Sequence, residues 1–335
     1  MTANGTAQAK APLLEVQGLS VELGRGQQVV RAVDGLSYSV ARAQTVAIIG
    51  ESGSGKTVSS RAIMGLLPDH AVVRGSIRFE SQELVGLSER GMRAQRGSAI
   101  AMVFQDPTRS LNPTMRIGAQ ITEAIRAHGG VSRAQARDRA IELMELVRLP
   151  GAEERITHYP HQLSGGMRQR VMIAIAIAAD PKLLIADEAT TALDVTTQAQ
   201  IMELLHDLQQ RLGMALIMIS HDLGLAASFA DEVLVMYAGR AAERAPTREL
   251  FARVRMPYTR ALLDAIPRLE RPSHSPLAAV PGQPPNMALI PDGCPFAPRC
   301  PDATDECRRV TPPYEEHEPD HWWACWHPCA AGGDA

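Results

Sequence analysis

The segment Gly50-Glu51-Ser52-Gly53-Ser54-Gly55-Lys56-Thr57 constrains this chain's fold more than any other. It matches G-x-x-x-x-G-K-S/T. The apolar run Thr45-Val46-Ala47-Ile48-Ile49 precedes it, and a stretch that reads as a helix over about 56–67 follows. A strand, glycine loop and helix in that order can cradle phosphate. The glycines let successive backbone N–H groups curl around phosphate oxygens, and the helix N-terminus adds positive potential. Lys56 is placed to reach the β- and γ-phosphates, and the Thr57 hydroxyl can coordinate Mg²⁺. Nucleotide binding through Gly50, Ser52, Gly53, Ser54, Gly55, Lys56 and Thr57 is therefore expected.

The remaining sequence supplies a frame for such a loop. Residues 13–49 read as strands, with Leu14, Val16, Leu19, Val21 and Leu23 mostly alternating. Further strands are predicted at Ile100–Phe104, Leu183–Ala186, Ala215–Ile219 and Glu232–Tyr237. Helices are predicted over 116–148, with a break at Gly129-Gly130, over 165–179 and over 194–211; shorter ones fit 247–254 and 257–266. Apolar strands alternating with helices imply an α/β protein with a mostly parallel sheet covered on both faces. The strand at 183–186 runs into two carboxylates. Asp187 is placed to hold a Mg²⁺ shell and Glu188 to polarise an attacking water. Ser164-Gly165-Gly166 opens the helix at 165–179 and offers N–H groups and a hydroxyl to an anion.

Several classes are excluded. The net charge of −3 gives no reason to expect nucleic-acid binding. The longest apolar run, Val171–Ala179, falls well short of the ~20 residues that span a bilayer. Met1–Pro12 has no apolar stretch of the secretory kind, so export and a disulfide framework are not expected. The chain is also uneven. All five cysteines and all three tryptophans lie between residues 294 and 329, after a Pro-rich, aperiodic stretch from Pro267 to Pro291. Cysteines in such a segment are read as metal ligands or free thiols.

Taken in order, the glycine loop, Gln105 after an apolar strand, Leu163-Ser164-Gly165-Gly166-Met167, Asp187-Glu188, Ala192-Leu193-Asp194 and His221 resemble the ATP-binding subunit of an ABC transporter. The resemblance covers about residues 13–265, with a helical subdomain at about 106–180. It implies a P-loop fold with a mostly parallel core sheet, an antiparallel β subdomain and an α-helical subdomain. It also implies ATP and Mg²⁺, with Glu188, His221 and Gln105 catalytic and the metal held by Thr57, Gln105 and Asp187. Ser164, Gly165, Gly166 and Asp194 would act on the nucleotide of a partner subunit, because the family sandwiches ATP between one Walker A loop and the other subunit's signature. Three departures stand out. Met167 replaces the usual signature Gln, and Ala189 stands where Pro commonly follows the Glu. No aromatic residue lies between Leu23 and Arg31 to stack on adenine, leaving Val30 as the expected substitute.

Phe104-Gln105-Asp106-Pro107, Tyr159-Pro160-His161-Gln162-Leu163, Met256-Pro257-Tyr258-Thr259 and Gly293-Cys294-Pro295-Phe296-Ala297-Pro298-Arg299-Cys300-Pro301 are similar to the dipeptide/oligopeptide importer branch. That similarity implies an ATPase on the cytoplasmic face of the cell membrane, peripheral to two transmembrane permease subunits. It further implies a second, non-identical ABC ATPase subunit, a periplasmic or extracellular substrate-binding protein, and no nucleic acid. Nickel, glutathione or another small solute could replace peptides. The cassette motifs would also suit a soluble non-transport ATPase, and the cysteines a redox-gated one. Cys294, Cys300, Cys307 and Cys325 are spaced C-x5-C-x6-C-x17-C, which suits an iron–sulfur cluster, tetrahedral zinc or free thiols. The resemblance favours a [4Fe–4S] cluster. The three tryptophans would then pack a small core closed by thiolate ligation, in a segment spanning 294–329 behind a linker at 266–293.

Overall fold

A computed structural model describes residues 12–25, 28–190, 194–266, 280–290 and 292–330. Ala192 and Leu193, and the linker residues 267–279 and 291, lie outside the described residues. Strands β1 (Leu14–Arg25) and β2 (Gln28–Val40) pair antiparallel, and β3 (Thr45–Ile49) follows with all of its residues buried. Helix α1 (Lys56–Ile63) leads to β4 (Val72–Phe79), β5 (Gln82–Glu83), α2 (Glu89–Gln95) and β6 (Ile100–Val103). Helices α3 (Pro107–Ser110), α4 (Ile117–His128), α5 (Arg133–Leu146), α6 (Ala152–Arg155) and α7 (Gly165–Ala176) come next. The chain then alternates through β7 (Leu183–Asp187), α8 (Val195–Leu212), β8 (Ala215–Ser220), α9 (Leu223–Phe229) and β9 (Glu232–Tyr237). It closes with β10 (Arg240–Pro246), α10 (Thr247–Ala252), α11 (Pro257–Asp264), α12 (Asp305–Arg309), β11 (Glu315–Glu318) and β12 (His321–Trp323).

Two sheets result. The smaller is antiparallel, in the order β2-β1-β4-β5. The larger runs β11-β12-β10-β9-β3-β8-β7-β6, and its β9, β3, β8, β7 and β6 are mutually parallel. Those five strands are nearly continuous apolar runs because helices and the smaller sheet cover both faces. Helices α4, α5 and α7 pack on one another. The expected break at Gly129-Gly130 separates α4 from α5, which Ser132 and Gln135 cap reciprocally.

The C-terminal segment differs from expectation. Its apolar residues join the main core instead of forming a separate one. β12 pairs with β10, Glu243 opposite Trp323 and Arg244 opposite Trp322, so the segment extends the main sheet. Arg244 lies 5.2 Å from the Trp322 ring and Arg255 5.4 Å from the Trp323 ring. Phe296, Ala297, Cys294 and Cys307 belong to the main core. A segment short of apolar residues gains stability by docking on an existing sheet edge, which also covers that edge.

Candidate functional site: a nucleotide pocket at the strand ends

The parallel strands deliver their C-terminal ends to one edge, where open α/β sheets place their ligands. The glycine loop starts where β3 stops. A side chain at Gly50 would run into the Met236 carbonyl of β9. Gly55 has φ +98°, and a Cβ there would meet the Ala32 carbonyl. Both positions therefore need glycine. The loop is closed by Ser54 N–H donating to the Glu51 carbonyl at 3.2 Å and by Gly239 N–H donating to the Ser54 carbonyl at 3.1 Å. Ser52 and Gly53 are exposed at its crest.

Lys56 is 4% exposed, and its Nζ donates to the carbonyls of Gly50 (2.7 Å) and Glu51 (2.9 Å) and to Ser54 Oγ (3.4 Å). Burial pushes the ammonium down from its usual range, opposed by Glu188, Asp187 and Glu51. Thr57 Oγ1 donates to Asp187 Oδ1 at 2.9 Å, tying the loop to the end of β7. Burial raises the Asp187 carboxyl, with the Thr57 bond, Arg61 and Lys56 pulling the other way. Gln105 Nε2 donates to Glu188 Oε2 at 2.7 Å. Glu188 sits just past β7 at φ +46°, a strained value for a non-glycine residue, held by its N–H donating to the Ile219 carbonyl at 3.1 Å. His221 is exposed one residue past Ser220, which pairs with Ile49 in register, so it lies at the same edge. Val30 is half-buried in β2, opposite Leu23.

A buried carboxylate hydrogen-bonded to a threonine hydroxyl is a hard-oxygen donor pair. It suits Mg²⁺, whose charge would relieve the desolvation that raises Asp187. Of the expected ligands, Thr57 and Asp187 stand together, while Gln105 is bonded through Nε2 to Glu188.

The signature residues stand apart. Ser164 caps α7, its hydroxyl accepting from Met167 N–H at 3.3 Å, and Ser164 and Gly165 are exposed. Asp194 caps α8, accepting from the Thr197 N–H at 2.9 Å and hydroxyl at 2.8 Å. Gly166 lets α7 approach α8, since a Cβ there would lie 2.7 Å from Thr197 Cγ2. Among the described residues, no hydrogen bond or ion pair links Ser164, Gly165, Gly166 or Asp194 to the glycine loop.

Three contributors, Glu51, Tyr258 and Arg299, were missed at the sequence level. Glu51 N–H donates to Tyr258 Oη at 2.9 Å. Its carboxylate accepts from both terminal nitrogens of Arg299, at 2.6 and 2.9 Å. The available signal was Glu51 itself, because an acid inside a phosphate-binding loop calls for a cation nearby.

The tail thiols lie close enough to act on one another's charge, and burial pushes Cys294 and Cys300 up and Cys325 up to about 12. Cys307 Sγ lies 3.4 Å from Thr304 Oγ1. Among the described residues, no three His, Cys, Asp or Glu side chains converge as metal ligands would. The expected [4Fe–4S] cluster on Cys294, Cys300, Cys307 and Cys325 is therefore not supported. His327 bonds Thr304 at 3.0 Å, and Cys329 is tied through its backbone N–H to the Arg255 carbonyl at 2.8 Å.

A glycine loop closed over a lysine, with Asp187 ending β7 one strand beyond β8, Glu188 just past it, and an exposed serine–glycine helix start, defines an ATP-binding cassette. Comparison with known proteins agrees. The ABC transporter family model matches residues 33–191, and the model for the oligopeptide/dipeptide transporter C-terminal region matches residues 242–307. The oligopeptide transport ATP-binding protein OppD of Salmonella typhimurium is 46% identical over 327 residues, covering 98% of this chain and 97% of that one. OppD of Mycobacterium bovis is 49% identical over 316 residues, or 94% of this chain, but the match spans only 52% of that longer relative, about half its length. Among solved structures, the cassette MJ0796 bound to ADP and Pi superposes with a TM-score of 0.63 at 26% identity, over 70% of this chain and 99% of that one. The chain belongs to the ABC transporter family, among the ATP-binding proteins of oligopeptide/dipeptide type. Among the described residues, no helix is long and apolar enough to cross a membrane.

Proposed function

We propose that this protein is the ATP-hydrolysing subunit that energises an importer of dipeptides or oligopeptides. The observation that carries the reading is the hydrogen-bonded set at one sheet edge: Lys56 on the loop carbonyls, Thr57 on Asp187, and Gln105 on Glu188. Lys56 and the loop N–H groups hold the phosphates. Thr57, Gln105 and Asp187 would hold Mg²⁺, which when bound supplies charge neutralisation to the phosphoryl group. Glu188 takes a proton from the attacking water, positioned by Gln105, and His221 contacts the terminal phosphate. Val30 packs beside the base.

Ser164, Gly165, Gly166 and Asp194 serve a nucleotide held by a second cassette, which the exposure of Ser164, Gly165 and Asp194 at the starts of α7 and α8 supports. In this reading residues 13–265 form the ATPase domain, 106–180 its helical part, and 294–329 an extension docked on it. The partners are a second, non-identical ATPase subunit, two permease subunits and a substrate-binding protein, with this chain peripheral on the cytoplasmic face. The test is uptake of a radiolabelled tripeptide into proteoliposomes containing the assembled transporter. Lys56→Ala should abolish ATP-dependent uptake, whereas undiminished uptake would overturn the assignment.

A further inference from the structure

Glu51 is a carboxylate inside a loop that must receive phosphate. Its repulsion of an anionic ligand would be costly at a few ångströms. Every polar group of Glu51 is engaged: its N–H by Tyr258 Oη, its carbonyl by Lys56 Nζ, and its carboxylate by Arg299. Arg299 comes from the C-terminal segment, 248 residues away in sequence. Its side chain is 5% exposed against 22% for Glu51. All three guanidinium nitrogens have further partners or a share in the pair. Nε donates to the Pro281 carbonyl at 2.6 Å, Nη1 also donates to Tyr237 Oη at 3.2 Å, and Nη2 also donates to the Val280 carbonyl at 3.4 Å. Its Cζ lies 5.8 Å from the Tyr237 ring centroid and 5.9 Å from that of Phe296. The bond to Glu51 raises the arginine further above its already high range. Arg299 is thus a rigid, always-charged clamp.

We propose that Arg299 is a positioning residue of the nucleotide site: it neutralises and holds Glu51, and so couples the seating of the C-terminal segment to the loop's affinity for nucleotide phosphate. The inference rests on the nucleotide-site reading above. Without Arg299 the Glu51 carboxylate is left bare beside the phosphates, and the loop loses its outer anchor. ATP, carrying more charge, should suffer more than ADP.

The experiment is equilibrium dialysis of Mg·ATP and Mg·ADP with the full-length chain, together with ATPase kinetics of the assembled transporter. Arg299→Ala should raise the Kd for Mg·ATP about tenfold or more, raise that for Mg·ADP less, and raise KM more than it lowers kcat. Arg299→Lys should recover part of the affinity. Adding Glu51→Gln to Arg299→Ala should recover part as well, because it removes the bare charge. Arg299→Gln keeps the bulk of the side chain and carries the same expectation should the alanine variant fail to fold. A folded Arg299→Ala or Arg299→Gln chain with wild-type Mg·ATP affinity would overturn the inference. Failure of the wild-type chain to bind Mg·ATP would instead overturn the nucleotide-site reading.

Discussion

Glu243 is the buried carboxylate that pins the C-terminal segment to the cassette. It has no solvent exposure and accepts three hydrogen bonds: from Arg255 N–H at 2.7 Å, Met256 N–H at 3.1 Å and His321 Nε2 at 2.8 Å. Glu243→Ala leaves those three buried donors without an acceptor, each costing about 1–3 kcal/mol. Removing the buried carboxylate returns several kcal/mol of desolvation, and breaking a buried pair in this way costs ~3–5 kcal/mol net. With an unfolding entropy of about 2.1 cal/mol/K per residue, a chain of 335 residues loses ~1.4 °C of Tm for each kcal/mol. Calorimetry should therefore show Tm lower by about 4–7 °C. Glu243→Gln keeps one acceptor oxygen and should fall by roughly half as much. Tryptic cleavage at the exposed Arg308 and Arg309 should become faster in the alanine variant. A Tm within about 1 °C of wild type, with an unchanged tryptic pattern, would refute the argument that Glu243 holds this segment.

Other expectations concern the site. Burial raises the Asp187 carboxyl in the folded state, so it binds a proton more readily there than in the unfolded chain. Its contribution to stability is full below the ordinary carboxylate pKa of about 3.9 and is lost as pH rises through the raised folded value. Without added nucleotide, Asp187→Asn should flatten that decline in a series of melts starting near pH 4, and parallel profiles would refute the assignment. Gly55→Ala forces a side chain against the Ala32 carbonyl and should weaken Mg·ATP binding by about tenfold or more, so wild-type affinity by dialysis would count against the loop geometry. Gly166→Ala should push α7 from α8, costing ~1–3 kcal/mol in the melt. It should lower hydrolysis by the assembled transporter while sparing Mg·ATP binding by the full-length chain, and equal loss of both would contradict a role toward the partner's nucleotide.

What could be read from the sequence follows from how locally each feature is encoded. The loop and the acidic end of β7 were legible because each is a short apolar strand running directly into its chemistry. The parallel core strands were legible for the same reason: burial on both faces leaves unbroken apolar runs such as Ala215–Ile219. β10, Arg240-Ala241-Ala242-Glu243-Arg244-Ala245-Pro246, has neither an apolar run nor β-branched residues, and its strand character comes from pairing with β9 and β12. β12 is three residues long, too short for periodicity to register. The strand at Val72–Phe79 went unread although Ile77 and Phe79 are buried, because Arg74, Gly75 and Ser76 interrupt it. The clamp on Glu51 joins residues far apart in sequence, and only the fold brings them together. For the tail cysteines, spacing left cluster, zinc and free thiols open, and sheet pairing, Glu243 and Arg299 account for how the segment is held.

The central claim is that Glu188, carried past the end of β7 and bonded to Gln105, is the base for ATP hydrolysis in a transport ATPase. Its most direct test is single-turnover hydrolysis of Mg·ATP by the assembled transporter bearing Glu188→Gln in this chain, with nucleotide occupancy measured in parallel. The account predicts that ATP remains bound at this site and that its hydrolysis falls by about 10²–10⁴-fold. Hydrolysis at the wild-type rate from the Glu188→Gln site would contradict it.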